Sequence, residues 1–263
     1  MTRNPKNDER DPYTVPAVDQ AARVLFCLAQ NDGTHMSLTE ICAKVGLHTS
    51  RAFSLLHTLQ KFGLAQRNVG GKGYSLGLGL MELSRKVLDD LHVPKLAEPF
   101  LKDLAIASDS TSVLGLKINE NELIVAGKYE GGSDVGVTVR VGRRVHISHS
   151  AEGKAIAAFL PEKDLKILLQ QKKLYFYGRP EHFDKRRLMT DLAECRRLGY
   201  ALDLEEIKQG LNAVAAPLLG HHGLPIGFIS ILGLLSSSLA HKLGPSVADA
   251  AKTLSRQLGA KLE

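Results

Sequence analysis

Apolar residues first recur at helical spacing at Val18, Ala21, Ala22, Val24, Leu25 and Leu28, which predicts a helix over residues 17–29. A turn cluster, Asn31-Asp32-Gly33-Thr34, closes it. Ser37-Leu38-Thr39-Glu40 then has the S-x-x-E spacing in which hydroxyl and carboxylate each satisfy an orphan amide of a new helix. That helix turns Leu38, Ile41, Cys42 and Val45 inward and stops at Gly46. A third helix starts after Gly46-Leu47-His48, with Thr49 or Ser50 as its cap. Its apolar stripe is Phe53, Leu55, Leu56, Leu59 and Phe62, and Gly63 stops it. Two short helices joined by a tight glycine-containing turn are the helix-turn-helix pattern. A strand over 64–67, a glycine-rich tip over 68–73 and a return strand over 74–76 add a hairpin, the wing of a winged helix. An amphipathic helix over 79–90, with Leu80, Leu83, Val87 and Leu88, leads through Pro94 into a helix over 95–108.

Beyond a boundary at 90–93 the pattern mixes strands with helices. Strands are expected over 112–117, 123–129, 136–140, 200–204, 213–219 and 227–232, and helices over 150–160, from Pro161 onward, over 185–198 and over 239–262. The last two strands join across His221-His222-Gly223. This is an α+β pattern with one central antiparallel sheet. The expected division is a flexible tail over 1–14, a winged helix over 15–78, a linker helix over 79–92 and a second domain over 93–263.

With 44% hydrophobic and 24% charged residues in 263, the chain can bury a core, which excludes wholesale disorder. The longest apolar run, 224–235, is broken by glycines and a serine and falls short of the ~20 residues a membrane helix needs. The charged N-terminus does not read as a secretory signal. The 3 cysteines, Cys27, Cys42 and Cys195, form no C-x-x-C, which argues against a disulfide framework and for the cytoplasm. A net charge of +6 is mild, but its distribution is uneven. Residues 41–81 hold Lys44, Arg51, Lys61, Arg67 and Lys72 and no acid before Glu82. Such a stretch suits a polyanion such as DNA. A solvated basic face would have the same charge; the helix-turn-helix pattern decides between them. Gly70-Gly71-Lys72 is no phosphate loop, because Gln66 and Gly73 occupy the positions of its first glycine and its Ser/Thr.

A series of motifs then meets in one order. Val15-Pro16-Ala17, Gly46-Leu47-His48-Thr49-Ser50-Arg51 and Tyr74-Ser75-Leu76-Gly77 come first. Val141-Gly142-Arg143-Arg144, Ser150-Ala151-Glu152-Gly153-Lys154-Ala155, Phe159-Leu160-Pro161, residues 199–206, Gly210 and Ala215-Ala216-Pro217 follow. Together they resemble the IclR-type bacterial transcription regulators over about residues 15–262. The resemblance implies a winged helix, a linker helix and a C-terminal GAF-like effector domain. It also implies dimers or tetramers on palindromic operator DNA, no cofactor, no membrane partner and no enzymatic activity.

In a helix-turn-helix the start of the second helix faces base edges. Thr49, Ser50, Arg51, Ser54 and His57 are the residues there least explained by packing. Arg51 can fork onto guanine or clamp a phosphate, and Lys72 at the wing tip can reach phosphate or the minor groove. By resemblance alone, an effector pocket is lined by Val137, Val145, Ala151, Glu152, Asp203, Leu211, Ala213, Ser230 and Leu232. Gly153 is expected to keep helix N-terminal amides open to an anion. The competing reading makes Val137, Val145 and Leu211 ordinary core, and Glu152 and Asp203 surface charge. Where many members of the family have Arg-Cys, this chain has Asn212-Ala213, and Ser230-Ile231-Leu232-Gly233 replaces Ser-x-Ser-Gly. Two polar wall positions are thus apolar. The expected effector is aromatic or largely apolar, its polar end held near Gly153, Ser230 or Asn212, and the target a metabolic or catabolic operon.

Ten histidines include His146, His149, His182, His221 and His222, but no metal-ligand spacing, and no nucleophile elbow is present. A metal-binding sensor or enzyme-derived domain on a DNA-binding module is the alternative, and an architectural module without a ligand is a third.

Overall fold

The computed structural model describes residues 13–31, 35–68, 73–90, 92–132 and 136–261. Their contacts divide the chain into two units, Met1–Leu91 and His92–Glu263. The expected tail falls almost wholly outside the described residues, and so does Lys72.

In the first unit, α1 (Pro16–Ala29), α2 (Leu38–Val45) and α3 (Thr49–Lys61) pack around Val24, Leu28, Ile41, Leu56 and Leu59. The capping box forms as the spacing predicts: the Ser37 amide donates to Glu40 Oε2 at 2.7 Å, and the Glu40 amide to Ser37 Oγ at 3.2 Å. Gly46 closes α2 in the left-handed conformation at φ 73°, which glycine adopts without a Cβ penalty. The cap of α3 is His48 and not Thr49 or Ser50, and it makes no side-chain capping bond. The stripe on α3 also differs from expectation. Ala52, Leu56 and Leu59 are buried, whereas Phe53 and Phe62 are 49% and 67% exposed. The i, i+4, i+7 line begins one residue earlier than the large side chains suggest. Strands β1 (Ala65–Arg67) and β2 (Tyr74–Leu76) pair antiparallel as the expected hairpin, and Met36 bridges to Tyr74. Helix α4 spans Gly79–Asp90.

In the second unit, helix α5 (His92–Ser108) precedes β3 (Thr111–Lys117), β4 (Glu122–Tyr129) and β5 (Arg144–His146). Then come α6 (Ser150–Ala158), α7 (Glu162–Leu169), a short 3-10 turn at Pro180–His182, and α8 (Lys185–Leu198). Strands β6 (Ala201–Leu204), β7 (Asn212–Leu219) and β8 (Pro225–Gly233) lead to α9 (Ser237–Gln257). The strand expected at 136–140 is not one; Arg144–His146 pairs with β4 instead. Six antiparallel strands form one sheet in the order β5-β4-β3-β8-β7-β6.

Strand alternation sorts the side chains onto two faces. Leu114, Val214, Ala216, Leu218, Ile229 and Ile231 pack with α5 and α9. Val113, Leu123, Val125, Ala213, Ala215, Phe228 and Leu232 pack with α6, α7 and α8. Helix α6 is buried on every side. Its small residues let it lie close to the sheet, and a Cβ on Gly153 would come within 2.4 Å of the Ser148 backbone. No helix among the described residues is long and apolar enough to cross a membrane.

Candidate DNA-binding face and effector site

Helix α3 presents Thr49, Ser50, Arg51, Ser54 and His57 to solvent, so the structure gathers these five on the exposed side of one helix. Ser54 donates to the Ser50 carbonyl at 3.0 Å and Thr58 to the Ser54 carbonyl at 2.9 Å. Arg51 is not extended straight outward: its Nε donates to Gln20 Oε1 on α1 at 2.9 Å. This bond uses Nε and not the terminal guanidinium nitrogens, and it fixes the side chain beside the first helix. Phe53, assigned to the core by its apolarity, belongs to this exposed surface. The phase of Ala52, Leu56 and Leu59 is the sequence signal that places it there.

The residues assigned to the effector pocket fall into two groups. Val137, Val145 and Leu211 pack against the apolar core that contains Ala151, Ala213 and Leu232. Glu152, Asp203 and Ser230 form the polar group, and all three are buried, which removes the surface-charge reading. Ser230 Oγ donates to Glu152 Oε1 at 3.3 Å. Ser150 Oγ donates to Asp203 Oδ2 at 2.5 Å, and the Glu206 amide to Asp203 Oδ1 at 2.9 Å. Ser150 opens α6 with φ at 56°, a left-handed conformation that costs a non-glycine residue about 1 kcal/mol or more. Its bond to Asp203 helps hold it there.

Glu152 is the least satisfied of these groups. Its Oε2 is buried and has no hydrogen-bond partner. Burial pushes its carboxyl from the usual 4.5 up to about 7, and the neighbouring Asp203 adds to the rise.

Two expectations need correction. The Gly153 amide is not open to an anion, because it donates to the His149 carbonyl at 2.7 Å; this glycine serves close packing against Ser148. Asn212 donates to the Leu235 carbonyl at 2.6 Å, beside the core on the opposite sheet face, and so does not join Ser230. A cavity of about 460 Å³ opens beside Asp109, Thr111, Glu130, Thr138 and Ser236, and of the ten assigned residues only Val137 lines it.

Sequence reasoning missed Lys154. It is 2% exposed, and its Nζ meets Glu206 Oε2 at 2.6 Å, the Leu202 carbonyl at 3.0 Å and Asp191 Oδ2 at 3.2 Å. It also lies 4.6 Å from the Tyr177 ring centroid. Arg187 pairs with Glu206 from the other side and covers the same ring at 4.2 Å. Nothing in the pattern distinguishes a buried lysine from a solvated one.

His146 and His149 do not build a metal centre with a third residue: among the described residues no three His, Cys, Asp or Glu converge. Burial pushes His149 down to about 4, with Arg143 and His146 adding to the shift.

Two family models match this architecture. The IclR helix-turn-helix domain matches residues 17–69, and the bacterial transcriptional regulator IclR C-terminal domain matches residues 85–259. The chain belongs to the IclR family. Among its IclR relatives, the regulator XynR of Escherichia coli K12 is 31% identical over 93% of this chain and 98% of its own length. The repressor AllR of the same organism is 28% identical over 93% and 91%. The crystal structure of an IclR regulator from Alicyclobacillus acidocaldarius superposes with a TM-score of 0.82 at 25% identity, over 94% of this chain and 100% of that one. An IclR homologue from Microbacterium hydrocarbonoxydans, crystallised with 4-hydroxybenzoate, gives 0.76 at 21% identity over 92% and 98% and supports the fold. The protein is therefore a DNA-binding transcriptional regulator, and its relatives are named as regulators and repressors, not enzymes.

Proposed function

We propose that this regulator binds an inverted-repeat operator as a dimer, or as a pair of dimers, and that a small molecule held against α6 alters this binding. One winged helix covers a single half-site, and the few phosphates it neutralises give weak binding. Pairing has apolar surface to use: Val15 and Val18 at the start of α1 and Leu78, Met81 and Leu83 at the start of α4 are all more than half exposed.

On α3 the bond between Arg51 and Gln20 favours a phosphate clamp over a base contact. It ties the guanidinium to Gln20 on α1 instead of leaving the side chain extended from α3 toward base edges. Arg51→Ala should weaken binding about equally across operator variants and lower the salt slope by about one. Selection from a random duplex pool, followed by titration at several salt concentrations, measures this. A loss confined to one base position would instead make Arg51 a base reader.

The observation that carries the effector reading is the one unpartnered oxygen of Glu152 on α6, Oε2, set beside the apolar walls expected from Ala151, Ala213 and Leu232. A ligand group that donates to Oε2 satisfies a buried acceptor, which is worth about 1–3 kcal/mol. The walls reward an apolar body at roughly 25 cal/mol per Å². An aromatic molecule with a hydroxyl fits both demands, and the 4-hydroxybenzoate held by the Microbacterium homologue is of this kind. Calorimetry should therefore favour hydroxylated aromatics over glyoxylate or pyruvate, and Leu232→Ser should narrow the preference. Tight binding of an oxo-acid with none of any aromatic would overturn it.

A further inference from the structure

A half-exposed phenylalanine on α3 asks for an occupant. Phe53 is 49% exposed, and its ring stacks on that of His57 at 6.4 Å between centroids and 14° between planes. The packing line of the helix, Ala52, Leu56 and Leu59, lies elsewhere. Ser50, Ser54 and His57 on the same helix are exposed as well. A half-exposed phenylalanine forgoes part of its apolar burial, and a polar residue would serve a solvated face better.

The surroundings say what covers it. The chain from 41 to 81 is free of acid and holds five cations, so the stretch that contains α3 suits a polyanion rather than an acidic or apolar protein surface. An imidazole stacks on the ring and exposed hydroxyls lie on the same helix, as suits an approach to base edges. In the major groove the apolar group those edges present is the C5-methyl of thymine, and phenylalanine is one of the side chains that meet it.

We propose that Phe53 reads a thymine methyl in each operator half-site. His57, stacked on the ring one turn along the helix, fixes its orientation. The proposal rests on the reading of α3 as the groove helix and names the base chemistry that it selects.

The test replaces thymine by deoxyuridine, which deletes the methyl group and leaves base pairing intact. Full-length protein first selects its operator from a random duplex pool. Each thymine of the enriched half-site is then replaced singly and symmetrically, and affinity is measured by fluorescence anisotropy. One position should lose about fourfold per half-site, the size expected for one buried methyl group. Phe53→Ala, and separately Phe53→Gln, should bind the thymine operator more weakly and be indifferent to deoxyuridine at that position. Far-UV circular dichroism checks that both variants fold.

A selected operator with no methyl-sensitive thymine overturns the proposal alone. So does a Phe53→Ala variant that keeps the same methyl sensitivity, or one that changes the oligomeric mass while its base preferences stand. A pool that enriches no sequence overturns the operator reading, and this proposal with it.

Discussion

Lys154→Ala should destabilise the C-terminal unit by about 3–5 kcal/mol, the cost of removing one partner from a buried ion pair. Lys154 holds Glu206 and Asp191 and the Leu202 carbonyl from the middle of α6. Its loss leaves Glu206, 8% exposed, with Arg187 as its remaining cation. Burial already raises the Glu206 carboxyl above its usual range, and it is the nearby cations that resist this. Lys154→Met keeps the packing volume and should fare little better, because the stranded charge and not the lost bulk sets the cost. Lys154→Met combined with Glu206→Gln removes both members and should cost clearly less than the two single changes added together. Urea melts followed by far-UV circular dichroism give the values for Lys154→Ala, for both single changes and for the double change; the chain has no tryptophan to report. Strict additivity would show that Lys154 acts through volume alone.

Glu152→Gln should do the opposite, and only above acidic pH. The folded-state carboxyl titrates near 7 against an ordinary 4.5. Between these values the native protein holds a proton that the unfolded chain has released. Stability therefore falls as pH rises from about 4.5 to about 7, and it stays lower beyond. The gap corresponds to about 3 kcal/mol. Glutamine keeps the neutral shape and does not titrate. The variant should match the parent below pH 4.5 and exceed it by up to about 3 kcal/mol above pH 7. Melting curves of the two proteins at pH 4, 6 and 8 measure the difference, and parallel pH dependences would overturn it.

The helices, the hairpin and most of the sheet are legible in the sequence because each depends on local period and punctuation. Ser37 and Glu40 stand three residues apart, and the box they predict closes. Residues 136–140 are no strand although Gly136-Val137-Thr138-Val139 alternates like one: among the described residues no strand pairs with them, while Arg144–His146 pairs with β4. Pairing is decided by a distant edge, which no local window contains. Of the site, the exposed hydroxyls and Arg51 on α3 follow from helical spacing. Their setting does not, since Gln20, which anchors Arg51, lies far back in the chain. The same holds for Glu152 and Lys154: two charged residues beside small ones read as surface, and only the all-round burial of α6 reverses that.

The strand order also sets a schedule for synthesis. The sheet has β3 and β8 side by side at its centre, with Thr111 opposite Leu232 and Leu116 opposite Gly227. As the chain leaves the ribosome, β3 and β4 emerge early and can pair as a hairpin, but the inner edge of β3 stays open until almost everything else has been made. The buried core of the N-terminal unit runs from Val24 to Tyr74 and is complete in the chain before the second unit begins. The helix-turn-helix unit can therefore fold before the second unit is complete, and for that interval the half-built sheet is an uncovered edge that pairing or a chaperone must protect.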